Sequence, residues 1–225
     1  MKHIFLFLII TVLLTSCNKK TVLLPETSSQ DITEILDVSP VYLFYDKTRP
    51  DSTDFNRKNM ISTTNWLVNI DKRLTLKQIF PHLQYLQEKR NKDGMHKNEN
   101  AKNYFTCSNP EIQNLAFIEF TNVVYQLGSL DSSSQKINNS QDVDDNGFSI
   151  IFNSNSTFGS NGKNHNIKNL ASFISKISLE ETAPDGLYLF FHEGLSFQSY
   201  ISIKSTLLKL DLGKVVIKKE EFIYN

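Results

Sequence analysis

The chain has 225 residues, and its 24 Lys+Arg balance 24 Asp+Glu, so the formal net charge is zero. That balance excludes the basic excess with which nucleic-acid binders displace counterions from phosphates. With 40% apolar and 21% charged residues the chain is too apolar to be wholly disordered, and it is long enough to bury a real core as one ordinary domain or two small ones.

The first segment, Met1 to Cys17, reads MKHIFLFLIITVLLTSC. Lys2 is a positive start, and Ile4 to Leu14 form one apolar run. As a helix the run covers about 16 Å against a ~30 Å hydrocarbon core, which is signal-peptide length. It ends in Leu14-Thr15-Ser16-Cys17. This tetrapeptide resembles the lipobox of bacterial lipoproteins: a branched apolar residue, two small ones, then Cys. The resemblance implies that the peptide is cut before Cys17, that the Cys17 thiol carries diacylglycerol, and that its amino group takes a further chain such as palmitate. Two or three chains make a stable anchor where one does not. Asn18-Lys19-Lys20 follow the Cys; some lipoproteins reach the cell surface through acidic residues at this place, so the expected site is the envelope, facing the periplasm. An ordinary secretory signal with a coincident Cys, or a buried N-terminal helix, is the plainer alternative. With Cys17 acylated, Cys107 has no disulfide partner and reads as a buried small hydrophobe.

This gives a signal peptide over 1–16, a lipidated Cys and tether over 17–40, a first strand–helix block over 41–128, a polar linker over 129–147 and a second block over 148–225. Val41 to Tyr45 reads as a strand buried on both faces, and Asn65 to Ile70 as a second strand. Thr75 and Gln78 fit a capping box, with Leu74 and Ile79 as its hydrophobic staple. Leu76, Ile79, Phe80, Leu83 and Leu86 then make a helical stripe, within which Pro81 predicts a kink or a later start. Tyr104 to Cys107 is a short strand. Asn109-Pro110 opens a predicted helix closed by Gly128, with Ile112, Ala116, Phe120, Val123 and Leu127 on its buried face.

In the second block Phe148 to Phe152 is a strand, and Ile167, Leu170, Ala171, Ile174 and Ile177 form a helical stripe. Leu187 to Phe191 is a fully apolar strand. Ser196 opens a helix with Tyr200, Ile203, Leu207 and Leu210 inward, Gly213 ends it, and Val215–Ile217 and Phe222–Tyr224 are strand. The halves echo one another: Val41–Tyr45 resembles Leu187–Phe191, and Leu74-Thr75-Leu76 resembles Leu195-Ser196-Phe197. The expected class is α/β or α+β, a mixed sheet covered by about four helices, with a duplicated β-α-β unit as one reading. The run Leu187 to Ile217 is similar to the periplasmic module of the biopolymer-transport ExbD/TolR family, which implies pairing with itself or with envelope components. Ile4–Leu14 lacks the acidic membrane residue of that family, so motor function is not implied.

Motifs for chemistry are sparse. His192-Glu193 is followed by Ser196 rather than a second His, so the two-histidine zinc motif fails. His82, His96 and His165 read as solvated or capping. Gly159-Ser160-Asn161-Gly162-Lys163 reads as a turn. Asp142-Val143-Asp144-Asp145-Asn146-Gly147 matches the start of a calcium loop, with Asp142, Asp144 and Asn146 as oxygen ligands, although Asn153 replaces its bidentate Glu. Lys89, Arg90, Lys92, Lys97 and Lys102 form a basic cluster that reads as a solvated loop. Asp51-Ser52-Thr53 resembles a short bacterial O-glycosylation motif. The expected role is therefore a non-catalytic, lipid-anchored envelope component that meets the membrane through its anchor and binds a protein partner or itself, with no nucleic acid. A periplasmic enzyme whose site is assembled from distant residues, including His192, is the alternative.

Overall fold

The structure is a computed structural model that describes residues 20–28, 32, 34–92, 98–128 and 147–225. Its first sheet contains β1 (Val38–Tyr45), β2 (Thr53–Asn56), β3 (Asn65–Ile70), β4 (Asn103–Asn109) and β5 (Asn114–Glu119), in the order β2-β1-β3-β4-β5. Strands β1, β3 and β4 run parallel, and β2 and β5 close the edges antiparallel. Helix α1 (Leu76–Asn91) carries the chain from β3 to β4. The second sheet contains β6 (Val124–Gly128), β7 (Gly147–Phe152), β8 (Thr157–Ser160), β9 (Lys163–Asn166), β10 (Gly186–His192) and β11 (Val216–Tyr224), in the order β6-β11-β10-β7-β8-β9. Helix α2 (Leu170–Ser178) precedes β10, and α3 (Phe197–Leu208) joins β10 to β11. The class is the expected mixture of helix and sheet. It holds two mixed sheets, and three α-helices among the described residues instead of four.

The missing helix is the one predicted from Asn109 to Gly128. The chain there forms the end of β4, a turn, β5 and β6. Asn109 does accept a nearby N–H, from Glu111, but the bond opens a hairpin turn in which Gln113 takes a positive φ of 51°. Beyond it Ala116, Phe117 and Ile118 are buried in succession, as in a strand covered on both faces, and β5 pairs with β4 from Asn109↔Asn114 to Tyr104↔Glu119. Ile112 and Leu127, expected inside, are 45% and 53% exposed. Asn161 and Gly162, both at positive φ, make the two-residue turn between β8 and β9. Strand β1 alternates, with Val41 and Leu43 buried and Tyr42 and Phe44 half-exposed, whereas Leu187 to Phe191 is buried on both faces.

The two sheets repeat one plan. Strand β1 pairs with β3 over Val38↔Asn65 to Leu43↔Ile70, and β7 with β10 over Gly147↔Gly186 to Phe152↔Phe191, the same six-residue parallel register. A hairpin partner flanks each first strand, and a helix follows each second one. The counterpart of β10 is thus β3, and that of Val41–Tyr45 is β7. The two helix starts meet in space: Leu76 donates its N–H to the Leu195 carbonyl at 2.9 Å, and Phe197 donates to Leu74 at 2.7 Å. Lys77 and Gln198 add the matching pair, to Glu193 and Lys72, around a Thr75↔Ser196 bridge. Such reciprocity is the mark of an isologous contact, here between two halves of one chain. The caps fall as expected: Thr75 and Gln78 exchange bonds, and Ser196 accepts from Ser199. Helix α1 runs through Pro81 without a break.

Helix α3 is held between the sheets. Its Tyr200 ring lies 6.1 Å from Phe105 of β4 and 5.1 Å from Phe191 of β10, both edge-on, and Phe105 also meets Phe197. One continuous apolar core includes residues from both sheets and all three helices.

Candidate functional site

Two arrangements concentrate polar chemistry. The first is buried. Tyr200 donates its phenol proton to Glu221 Oε2 at 2.6 Å, Lys204 Nζ donates to Glu221 Oε1, and the Tyr125 hydroxyl stands 3.1 Å from that of Tyr200. Glu221 is 1% exposed. Tyr125 sits directly across from it on β6. Burial, and then the charge of Glu221, push both phenols well above their ordinary range, so they stay protonated and Tyr200 remains the donor. A carboxylate paired with an ammonium and a phenol has its lone pairs occupied, which offsets the cost of burying it. The sequence reading places Tyr200 on the inward stripe of its helix and misses its polar partners. The signal was present: Lys204 interrupts the apolar stripe of α3, and Glu221 stands directly before Phe222-Ile223-Tyr224.

The second arrangement is a strap. Lys20 to Ser28 cross the carboxyl ends of the first sheet and finish on α3. Lys20 Nζ binds Asp46 at 2.9 Å and Asp54 at 2.5 Å. Leu23 donates its N–H to Asp71 and accepts from Lys72. Asp71 is fully buried; burial alone would raise its pKa, but the Arg73 guanidinium and the N–H groups of Arg73 and Leu23 outweigh that and hold it below the ordinary carboxylate value. The Pro25 carbonyl and the Thr27 N–H pair with Ser108 of β4, beyond the point where β3 stops pairing. Glu26 and Gln198 exchange two bonds, Thr27 donates to Ser205, and Lys209 donates to Ser28. A cavity of about 450 Å³ lies beside the strap, lined by Ser28, Glu111, Ser202, Thr206, Lys209 and other residues.

Other residues singled out from the sequence fall elsewhere. Cys17, Asp142, Asp144, Asn146 and His96 lie outside the described residues. Among the described residues no group of three His, Cys, Asp or Glu side chains could hold a metal ion. His192 accepts the Gly194 N–H and meets Tyr224 edge-on at 5.4 Å, away from the cavity beside the strap. His82 is half-buried against Phe55, and His165 packs on Phe158 and Phe173 rather than standing in water. The Cys107 thiol is fully buried, as expected, and burial pushes it up to about 12, which keeps it from acting as a thiolate. The basic cluster is only partly solvated: Arg90 lies 3.6 Å over the Trp66 ring and donates to Asn103 and to the Ser62 and Thr64 carbonyls, and Lys102 pairs with Glu119. In the glycosylation-like tripeptide Thr53 is buried and donates its hydroxyl to Asp51, whereas Ser52 is partly exposed.

These features define a two-sheet α/β body with a docked N-terminal strap. Neither family models, nor curated proteins, nor solved structures yield a match to this chain.

Proposed function

We propose that the chain is a lipid-anchored component of the bacterial cell envelope, held on the periplasmic side, whose body binds a protein partner or a second copy and does no chemistry of its own. The observation that carries this reading is the sequence Leu14-Thr15-Ser16-Cys17 after a short apolar run. The site geometry is consistent with it: Glu221, Lys204 and Asp71 are tied into structural pairs, and the Cys107 thiol is inert. Metabolic labelling with a palmitate analogue tests the anchor. The wild-type chain takes the label and fractionates with membranes, and Cys17→Ser loses both; an unlabelled wild type, or a Cys17→Ser chain that matures and fractionates unchanged, removes the reading.

Calcium at Asp142, Asp144 and Asn146 is a separable proposal that rests on ligand spacing ahead of Gly147, where β7 begins. Titration calorimetry with millimolar calcium decides it, since absence of heat ends it and loss of heat in Asp142→Asn together with Asp144→Asn supports it.

A further inference from the structure

We infer that the carboxyl edge of the first sheet, around the loop from Asp46 to Ser52, is the surface of this protein that faces the bilayer. The inference rests on acylation of Cys17 and adds where on the body that anchor emerges. The strap supplies the argument. A tether of twenty residues would let a body roam and present any face to the membrane. Here the residue three steps beyond Cys17 is already bound to the body: Lys20 reaches both Asp46, just after β1, and Asp54 in β2. Three fully extended steps span about 10 Å, so the acylated sulfur lies close to this edge wherever the intervening bonds point.

The docking is redundant along the strap. Four further positions, Leu23, Pro25, Glu26 and Thr27, each make hydrogen bonds to the body, and Pro25 and Thr27 are buried. Freeing the tether means breaking these together, so length beyond Lys20 does not become slack. The surface this exposes to headgroups is suited to them. Lys47 and Arg49 stand exposed on the loop, Asp46 and Asp54 are already paired with Lys20, Arg49 lies 3.7 Å from Asp54, and the exposed Asp51 carboxylate is turned to the N–H and hydroxyl of Thr53. Lys19 precedes them in sequence. The occupant of this surface is therefore the bilayer that holds the protein's own acyl chains, with its phosphate headgroups against the loop. The opposite end of β1, where Val38 pairs with Asn65, points away from it.

The test uses the full-length acylated protein in vesicles of phosphatidylethanolamine and phosphatidylglycerol carrying a headgroup-linked quencher. A fluorophore is placed through Lys47→Cys or through Ser62→Cys, both at exposed positions. Labelling is selective because Cys107 is fully buried. At ~3.3 Å per strand residue the two positions are roughly 25 Å apart along β1, so quenching at 47 exceeds that at 62 by about twofold or more. Inserting a flexible Gly-Ser stretch of about 20 residues between Asn18 and Lys19, with an r.m.s. reach near 25 Å, erases the difference without touching the fold. Equal quenching in chains that carry acyl label, or a difference that survives the insertion, overturns the orientation. Absence of acyl label in the same preparation instead overturns the anchored reading on which it stands.

Discussion

The two β-α-β halves solve the same packing problem with different chemistry. In the first, the positions four and eight residues past the helix cap are Ile79 and Leu83, and the residue opposite Val68 on the next strand is Phe105, all buried and apolar. In the second, the corresponding positions are Tyr200 and Lys204, and the residue opposite Leu189 is Glu221. One backbone plan thus accepts either an apolar trio or a hydrogen-bonded ion pair with a phenol. The ion pair is not required for the fold as such, since its counterpart does without one. What it adds is a demand for one arrangement, because Glu221 finds its donors only when α3 and β11 are in register.

The comparison can be broken most sharply at Glu221. Glu221→Ala leaves the Lys204 ammonium buried without a partner and is expected to cost about 3–5 kcal/mol, read by urea denaturation. Replacing the pair together, with Lys204→Leu and Glu221→Met, makes the second half resemble the first and is expected to be neutral or stabilising by about 1–4 kcal/mol. A double variant as unstable as the single one would mean that the two halves are not interchangeable. Leu83→Ala in the first half removes packing alone and is expected to cost about 2–5 kcal/mol, with no change when the pH is varied near neutrality.

The caps give a smaller and more symmetrical contrast. Thr75→Ala and Ser196→Ala each remove a side-chain acceptor at the shared junction, and each is expected to cost about 1 kcal/mol. A markedly larger loss at one of them would show that one half carries the junction. The smallest effect is on pH. Burial lowers the pKa of His82 below its ordinary 6.5, with Arg57 adding to this and Asp51 opposing it. The unfolded chain then binds more protons in that window, so stability rises with pH towards about 6.5 and levels off above it. His82→Gln is expected to flatten this rise, seen in thermal melts between about pH 5 and 7, above the carboxylate range. No histidine occupies the matching stretch of α3.

Local signals were legible wherever one residue answers to its neighbours. Asn65–Ile70 reads as a strand and is β3 to the residue, and the Thr75 and Ser196 caps need only the residues that follow them. The stretch from Asn109 to Gly128 reads as a helix because its cap-and-glycine punctuation suits one, while its strand conformation depends on pairing with β4 alongside. The strap was illegible for a related reason: Lys20 to Ser28 have little pattern of their own, and their partners, from Asp46 to Lys209, are distant in sequence.

The sequence by itself determined strands such as Asn65–Ile70 and the capped helix starts at Thr75 and Ser196, because those properties are decided by backbone preference and by neighbours a few residues away. The tertiary structure alone decided that the halves share one strand order, that Lys204 and Glu221 meet, and that Lys20 to Ser28 are bound down. Those are pairings between remote groups, and their free energy exists only after the backbone has brought the groups within hydrogen-bonding distance.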